Sequence, residues 1–198
     1  MTPRLTALRR SRPGRISLEV DGQAWRIVPD EVVARCGLAA GVELERPLLR
    51  EIRRALRSAE ALDLAARALG RRDLSRRRLA AKLDSRGVAP RELEATVTAL
   101  TGAGLIDDAR AARTRAAVLA ERGWGNAAVE ARLEEEGFST ELVRVAVEEL
   151  APESERAKAA GARFADGRKA WEQLARRGFS PDAIEAALGA LDECERPG

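Results

Sequence analysis

Leucine, glycine and apolar positions recur at the same spacing in three stretches of this 198-residue chain. Each stretch has a leucine, three intervening residues, a glycine and an apolar residue, followed by apolar residues six, ten and thirteen positions after the glycine. Such offsets place side chains along one face of a helix. The pattern therefore predicts one helix that ends at each glycine and a second, amphipathic helix that follows it. The leucine and glycine pairs are Leu83 and Gly87, Leu133 and Gly137, and Leu174 and Gly178.

The residues that flank each glycine predict how the two helices are joined. A glycine can adopt the left-handed conformation that closes a helix, because it has no Cβ atom. The apolar residue that follows, Val88, Phe138 or Phe179, is then expected to fold back on the preceding turn. Ser139 and Ser180 suit the N-cap of the next helix.

A third helix precedes each pair, roughly at 59–69, 107–122 and 153–164. We therefore predict a mainly α fold in which three tandem three-helix repeats form an elongated array. The expected bounds are 59–103, 104–151 and 152–198, the last repeat being shortened. The glycines are 50 residues apart between positions 87 and 137 but only 41 apart between 137 and 178, so a uniform solenoid period does not fit.

The pattern changes to strict alternation near the N-terminus. Apolar residues alternate on both sides of Asp21-Gly22, a dipeptide typical of two-residue hairpin turns. Such a turn would pair Leu18 with Trp25 and Ile16 with Ile27, giving the hairpin one apolar face. We expect this face to pack on a short helix near 30–36 and a longer helix from 47, within an N-terminal extension at 14–58. The arginine-rich residues 1–13 are predicted to form a flexible basic arm.

Charge is distributed unevenly over a chain that is 34% charged and only 3% aromatic. Residues 50–100 hold 13 basic and 7 acidic side chains, a net charge of +6, whereas residues 101–150 hold 6 and 10, a net charge of −4. A protein that only coated nucleic acid would be more evenly basic.

Candidate catalytic chemistry is absent from the sequence. The chain has no histidine, no nucleotide-binding glycine loop and no nucleophile elbow. Asp107-Asp108 suits a helix N-terminus, where carboxylates stabilise the helix dipole, and Cys36 and Cys194 have no metal or redox spacing. We therefore expect a protein that acts by binding, without enzymatic activity, cofactor or metal. No apolar run is long enough to span a bilayer, so we expect a cytoplasmic protein.

A basic segment begins the first repeat. Ser75 is a candidate N-cap, which places Arg76 and Arg77 in the first helical turn, where the helix dipole disfavours cations. An anionic partner surface would compensate this placement, and a solvated basic face is the alternative interpretation.

Several spaced motifs, in the same order along the chain, resemble the bacterial RecX family over about residues 60 to 191. The most diagnostic are the Gly-Leu-Ile-Asp-Asp and Arg-Gly-Trp-Gly segments. The matching segments are Arg71-Arg72-Asp73-Leu74-Ser75, Leu79 and Leu83 before Arg86-Gly87, Gly104-Leu105-Ile106-Asp107-Asp108-Ala109-Arg110, Arg122-Gly123-Trp124-Gly125, and Leu133 with Gly137-Phe138.

The resemblance implies a regulatory protein that lies in the helical groove of the RecA filament on DNA. Members of that family suppress the ATPase and strand exchange of RecA by blocking filament growth or promoting disassembly, in recombination, DNA repair and the SOS response. The implied partner is the RecA filament, with DNA inside that complex, and we expect the protein itself to be a monomer.

Two other functions remain open at this point: a helical-repeat protein that binds DNA directly, and an adaptor for an unrelated protein. The acidic second repeat argues against a major-groove reader, because it offers Glu134, Glu135 and Glu136 in place of base-reading side chains. Candidate contact residues for RecA or DNA, chosen by charge and position, are Arg71, Arg72, Arg76, Arg77, Lys82, Arg86, Arg122, Trp124, Arg176 and Arg177.

Overall fold

Ten helices and a three-stranded sheet make up the described part of the chain. The computed structural model describes residues 2–70, 73–164 and 167–194, of which 190–194 are described by their backbone alone. The prediction of a mainly α fold with a small N-terminal β structure is confirmed. No helix in these described ranges has both the length and the apolar character needed to cross a bilayer.

The sheet is antiparallel and runs in chain order. Its strands are β1 (Leu5–Arg12), β2 (Arg15–Val20) and β3 (Gln23–Pro29). The prediction of a flexible arm at 1–13 is wrong for most of that segment, because β1 pairs with β2 along its length. Leu5 is fully buried and its amide donates to Val42 O at 2.8 Å. The arginines of β1 are compatible with this edge strand because their side chains point to solvent.

The predicted hairpin turn is confirmed, but the predicted pairing beyond it is wrong. Asp21 and Gly22 have φ values of 48° and 81°, as a two-residue hairpin turn requires. A register shift next to Leu18 then pairs Leu18 with Arg26 in place of Trp25. Because one extra residue reverses the alternation of side chains, Trp25 and Ile27 are 40% and 50% exposed.

Two helices pack under the sheet. They are α1 (Asp30–Arg35) and α2 (Arg46–Leu69). Ile52, Ala55 and Ala59 of α2 are buried in one cluster with Leu5 and with other residues of the sheet and α1. Helix α2 continues through the boundary that the sequence suggested between residues 58 and 59, because the residues on both sides are good helix formers with no glycine or proline between them.

Eight further helices follow in the order that the repeat predicts. The middle helices of the repeats begin eleven residues before the repeat glycine, and the last helices begin three residues after it. The helices are α3 (Arg76–Asp84), α4 (Pro90–Gly102), α5 (Asp108–Glu121), α6 (Asn126–Glu135), α7 (Thr140–Glu148), α8 (Glu153–Gly161), α9 (Gly167–Arg176) and α10 (Pro181–Cys194). Helix α8 has nine residues, against fourteen in the equivalent helix α5.

The predicted glycine closure occurs in all three repeats. Gly87, Gly137 and Gly178 have φ values of 76°, 85° and 78°. The amide of the next residue donates to the repeat leucine carbonyl at 3.2 Å in each case, as Phe138 does to Leu133, which is the Schellman geometry. Leu83, Leu133 and Leu174 are 1%, 0% and 0% exposed. One local device therefore ends the middle helix of every repeat.

The chain forms two compact units. The N-terminal unit comprises Met1–Arg72 and Ala80–Leu100, and the C-terminal unit comprises Asp73–Leu79 and Thr101–Gly198, so the division passes through α3. Within the C-terminal unit, α5, α6 and α7 pack on one another, as do α8, α9 and α10. Both of these cores use many alanines, which agrees with the thin cores typical of small helical repeats.

Candidate functional site

The start of α3 is bonded to the second repeat through a joint that we call the first joint. It comprises residues 73–79, Asp108 and Arg115 of α5, and the turn at Glu136-Gly137. Ser75 is 1% exposed, accepts a hydrogen bond from Arg78 N at 3.1 Å and donates one to Glu136 O at 2.6 Å. The predicted N-cap is therefore confirmed, and the same hydroxyl holds the α6–α7 turn.

Two carboxylates complete the first joint. Asp108 Oδ1 accepts a hydrogen bond from Arg76 N at 2.7 Å, so the first residue of α5 binds the first helical amide of α3. Glu136 Oε1 lies 2.8 Å from Arg115 Nη2 and 3.7 Å from Arg78 Nη1. Asp107 caps its own helix by accepting from Arg110 N at 3.0 Å, in agreement with the N-terminal role expected for Asp107-Asp108.

A second joint connects the second and third repeats. It comprises the loop at 122–126, Glu153 and Arg156 of α8, and the turn at 177–180. Glu153 Oε1 accepts from Asn126 N at 2.6 Å, and Glu153 Oε2 accepts from Ser180 Oγ at 2.7 Å. Two backbone bonds run parallel to these, from Gly125 N to Arg177 O at 2.9 Å and from Ala127 N to Gly178 O at 3.2 Å.

The two joints use one arrangement with different side chains. Arg76 and Asn126 are both the first residues of middle helices, and Asp108 and Glu153 are the first residues of the helices that open the next repeat. In each joint the amide of the former donates to the carboxylate of the latter. A carboxylate at a helix N-terminus is also favoured by the helix dipole. The arrangement therefore satisfies two helix termini at once, and at the second joint it fixes the second and third repeats to each other.

Arg156 is the most connected side chain of the second joint. Its Nε donates to Ala151 O and its Nη1 to Trp124 O, both at 3.0 Å, and its Nη2 donates to Asn126 Oδ1. Burial lowers the pKa of Arg156 from its ordinary value. The Trp124 ring is covered by the Arg132 guanidinium, whose carbon lies 3.6 Å from the ring centroid, a cation–π contact.

The two strongest sequence candidates, Arg76 and Arg77, lie at the first joint. Both side chains are exposed, and neither makes an ion pair with any other described residue. The Arg77 stem passes over Gly137, where an added Cβ atom would lie 3.0 Å from Arg77 Cδ. The candidates Arg71 and Arg72 lie outside the described residues.

The other candidates divide between the two units. Lys82 and Arg86 belong to the N-terminal unit, where Lys82 is half-buried and Arg86 is exposed. Arg122 and Arg176 are exposed. Arg177 folds back, with its Nη1 3.4 Å from both Arg122 O and Gly123 O.

The structure therefore gathers three of these candidates, Arg122, Trp124 and Arg177, at the second joint. A groove of about 390 Å³ borders the same joint. Its lining includes five alanines and three arginines, Arg156, Arg163 and Arg177. The C-terminal unit thus presents apolar and cationic surface side by side.

The acidic second repeat neutralises much of its own charge. Arg144 pairs with Glu141 and Glu148 at 2.7 and 2.6 Å, and Arg113 pairs with Glu149 at 2.9 Å. The hydrogen bond from Arg144 lowers the pKa of Glu141 from its ordinary value. Nowhere in the described ranges do three or more His, Cys, Asp or Glu side chains group as metal ligands.

Glu153 and Arg156 were not identified from the sequence. The repeat carries a signal for Glu153, because Glu153 opens the third repeat as Asp108 opens the second. Arg156 has no such signal, since the equivalent position of α5 is Ala111. The separations between Asp108 and Gly137 and between Glu153 and Gly178 differ by four residues, which hides the correspondence in a simple alignment on glycine.

No protein-family model matches the chain, but individual proteins resemble it over most of its length. Regulatory protein RecX of Halorhodospira halophila is 34% identical over 147 residues, which cover 69% of this chain and 91% of the relative. Regulatory protein RecX of Stenotrophomonas maltophilia is 37% identical over 134 residues, which cover 61% and 82%.

Two solved structures share the fold. A crystal structure of regulatory protein RecX matches with a TM-score of 0.76 at 20% identity, over 94% of this chain and 99% of that chain. A crystal structure of RecX from Lactobacillus salivarius matches with a TM-score of 0.65 at 18% identity, over 70% and 99%. With sequence identity above 30% to named members along two thirds of its length, the chain belongs to the RecX family of regulatory proteins.

Proposed function

We propose that this protein binds the RecA filament on DNA and lowers its ATPase activity, strand exchange and filament growth in recombination and DNA repair. It acts as a monomer in the cytoplasm. The observation that carries this proposal is the 34% identity to a regulatory protein RecX across 147 residues, which cover 69% of this chain.

The joints support binding to a polymeric partner. A filament presents the same protein surface at regular intervals, and several weak contacts on one rigid binder gain from effective concentration. Because the second and third repeats are bonded through Glu153 and through two backbone hydrogen bonds, they keep one relative placement. Contacts made by both repeats can therefore add on a single filament.

The surface chemistry supports a protein partner that lies beside DNA. The groove at the second joint is lined by alanines and arginines, and protein interfaces commonly combine an apolar centre with a polar rim. Arg76 and Arg77 carry positive charge that no described residue pairs. Acidic RecA side chains or DNA phosphates would both complement it.

The test is the single-stranded-DNA-dependent ATPase rate of RecA from the same organism, titrated with this protein at two salt concentrations. Binding of the protein to the same DNA without RecA is measured in parallel by fluorescence anisotropy. We expect inhibition at protein concentrations well below those that saturate naked DNA. Inhibition should also fall less steeply with salt than naked-DNA binding does, because only part of the contact is to phosphates.

Two results would contradict the proposal. The first is an unchanged ATPase rate at all protein concentrations. The second is inhibition that begins only where the protein already covers the DNA, which would favour a direct DNA-binding protein.

A further inference from the structure

We propose that the N-terminal unit carries a separate binding surface for the sugar-phosphate backbone of nucleic acid. It is a recess of about 670 Å³ at the end of α1 and the first half of α2, lined by Arg35, Arg50, Arg53, Arg54 and Arg57. We call it the arginine recess. The inference goes beyond filament regulation because it requires no RecA.

The charge of α2 is concentrated in the half that forms the recess. Residues 46–57 include five arginines and one acid, whereas residues 58–69 include one arginine and two acids. The first turn of α2 contains no acid, and the N-cap residue Glu45 makes no side-chain capping bond. The first helical turn therefore contributes no carboxylate that would offset the arginine charge.

Most of this charge is not neutralised within the protein. Arg57 Nε donates to Glu92 Oε1 at 2.9 Å, and this hydrogen bond lowers the pKa of Glu92. Arg35, Arg50, Arg53 and Arg54 make no ion pair with any other described residue. Positions 50, 53, 54 and 57 are separated by three or four residues, a spacing at which like charges destabilise a helix. A bound anion would relieve this repulsion.

The lining favours phosphates over an acidic protein surface. Apart from its charged residues, only Pro47 and Ala55 line the recess, so it lacks the apolar centre typical of protein interfaces. Nucleic-acid interfaces are more polar and more positively charged. The planar guanidinium group can also donate two hydrogen bonds to one phosphate.

The same lining predicts little dependence on base sequence. No aromatic side chain lines the recess, and stacking on aromatic rings is the usual way in which unpaired bases are held. Contacts to phosphates position a protein without reading sequence. Glu51 also lines the recess and Glu92 pairs with Arg57, so five guanidinium groups and two carboxylates give a net charge of +3. This charge suits a modest, salt-sensitive affinity.

The experiment measures binding of the full chain to a fluorescent single-stranded oligonucleotide and to the duplex of the same sequence, without RecA, over a range of salt concentrations. The variant carries Arg50→Gln and Arg53→Gln. The matched control carries Arg91→Gln and Lys158→Gln, which removes the same two charges at exposed positions outside the recess. Circular dichroism and thermal melting verify that both proteins are folded.

We expect the recess variant to lose roughly tenfold or more in affinity at low salt and the control to lose less than twofold. The plot of log association constant against log salt concentration should become less steep, by about 1.8 for the duplex and about 1.4 for the single strand, because two phosphate contacts are lost. Comparison of the affinities for the single strand and for the duplex identifies which form of the backbone binds better.

Equal losses in the variant and the control would overturn the proposal, because net charge alone would then explain binding. Absence of DNA binding by the unmodified protein at the lowest salt would also overturn it and would favour an acidic protein partner. The RecA ATPase assay on the same proteins separates the two proposals. If the protein inhibits RecA but the recess variant binds DNA as well as the control does, the filament function is supported and the recess is not. If the recess variant loses DNA affinity but the protein does not inhibit RecA, the recess is supported and the filament function is not.

Discussion

Gly125 lies directly against Gly178 at the second joint. A Cβ atom built on Gly125 would be 2.3 Å from the carbonyl carbon of Gly178 and 2.2 Å from Phe179 N, and one built on Gly178 would be 2.6 Å from Ala128 N. All three distances are far below van der Waals contact. The absence of side chains at these two positions is what allows the two backbone hydrogen bonds of the joint to form.

Substitution of Gly125 by alanine should therefore destabilise the protein. Because the added methyl group meets backbone atoms that cannot rotate away, we expect a loss of about 2 to 3 kcal/mol or more in the free energy of unfolding. Urea denaturation followed by circular dichroism measures the loss. The control is Gly189→Ala, in α10 with open space around its Cβ position, which should stabilise the helix by up to about 1 kcal/mol. Equal stabilities for the two variants would show that the joint is loose.

Ser75→Ala tests the first joint. The substitution removes the cap of α3 and leaves Glu136 O without its donor, so we expect a loss of about 2 to 4 kcal/mol in the free energy of unfolding. Ser139→Ala removes an exposed cap that serves only its own helix and should cost about 1 kcal/mol or less. Comparable losses for the two serines, measured by the same denaturation, would count against a role for Ser75 between repeats.

Glu153→Ala should weaken the second joint. The change leaves the amide of Asn126 and the hydroxyl of Ser180 without their acceptor, at an expected cost of about 1.5 to 3 kcal/mol. Glu155→Ala, an exposed acid in the same first turn, removes only a dipole interaction of about 0.5 kcal/mol. Amide hydrogen exchange should show faster exchange at Asn126 in Glu153→Ala alone, and unchanged protection there would contradict the assignment.

The repeat leucines should contribute most to the stability of the cores. Because Leu83, Leu133 and Leu174 are almost fully buried, each substitution by alanine is expected to cost about 2 to 5 kcal/mol. Leu105, which is 58% exposed, provides the control and should tolerate alanine with a change below about 1 kcal/mol. Chemical denaturation of the four variants measures these changes in the free energy of unfolding. A negligible loss at any repeat leucine would refute its place in the core.

Charge reversal at Arg76 and Arg77 tests the contact surface. Glutamate in the first turn of α3 suits the helix dipole, so the double variant should remain folded by circular dichroism while RecA inhibition weakens at least tenfold. Arg91→Glu with Lys158→Glu makes the same change of charge on exposed residues of α4 and α8 and should retain most of the inhibition. Unchanged inhibition by the Arg76 and Arg77 variant would identify these arginines as ordinary surface.

Local rules predicted the repeats well because the deciding residues are adjacent in sequence. Gly87, Gly137 and Gly178 end helices through their own backbone conformation, and Ser75 caps α3 through an amide three residues away. Such features depend on the chain within one or two turns. A single sequence is enough to locate them.

The errors came from interactions over longer distances. One extra residue in β3 moved Trp25 off the apolar face, and alternation alone does not locate a bulge. Leu5 became part of a strand because a hydrophobic core formed by distant residues was available to bury it. Glu153 joined the site because α8 carries it to Asn126. Each of these outcomes depends on tertiary packing, which the local pattern does not contain.

Helix α2 spans the end of the N-terminal extension and the start of the first repeat. Its first half is buried with the sheet through Ile52 and Ala55, and its second half buries Ala61 and Ala65. A fragment that started at residue 59 would begin in the middle of this helix and would lose the half that nucleates on the sheet. We therefore expect that removal of the extension impairs the folding of the first repeat together with that of the strands.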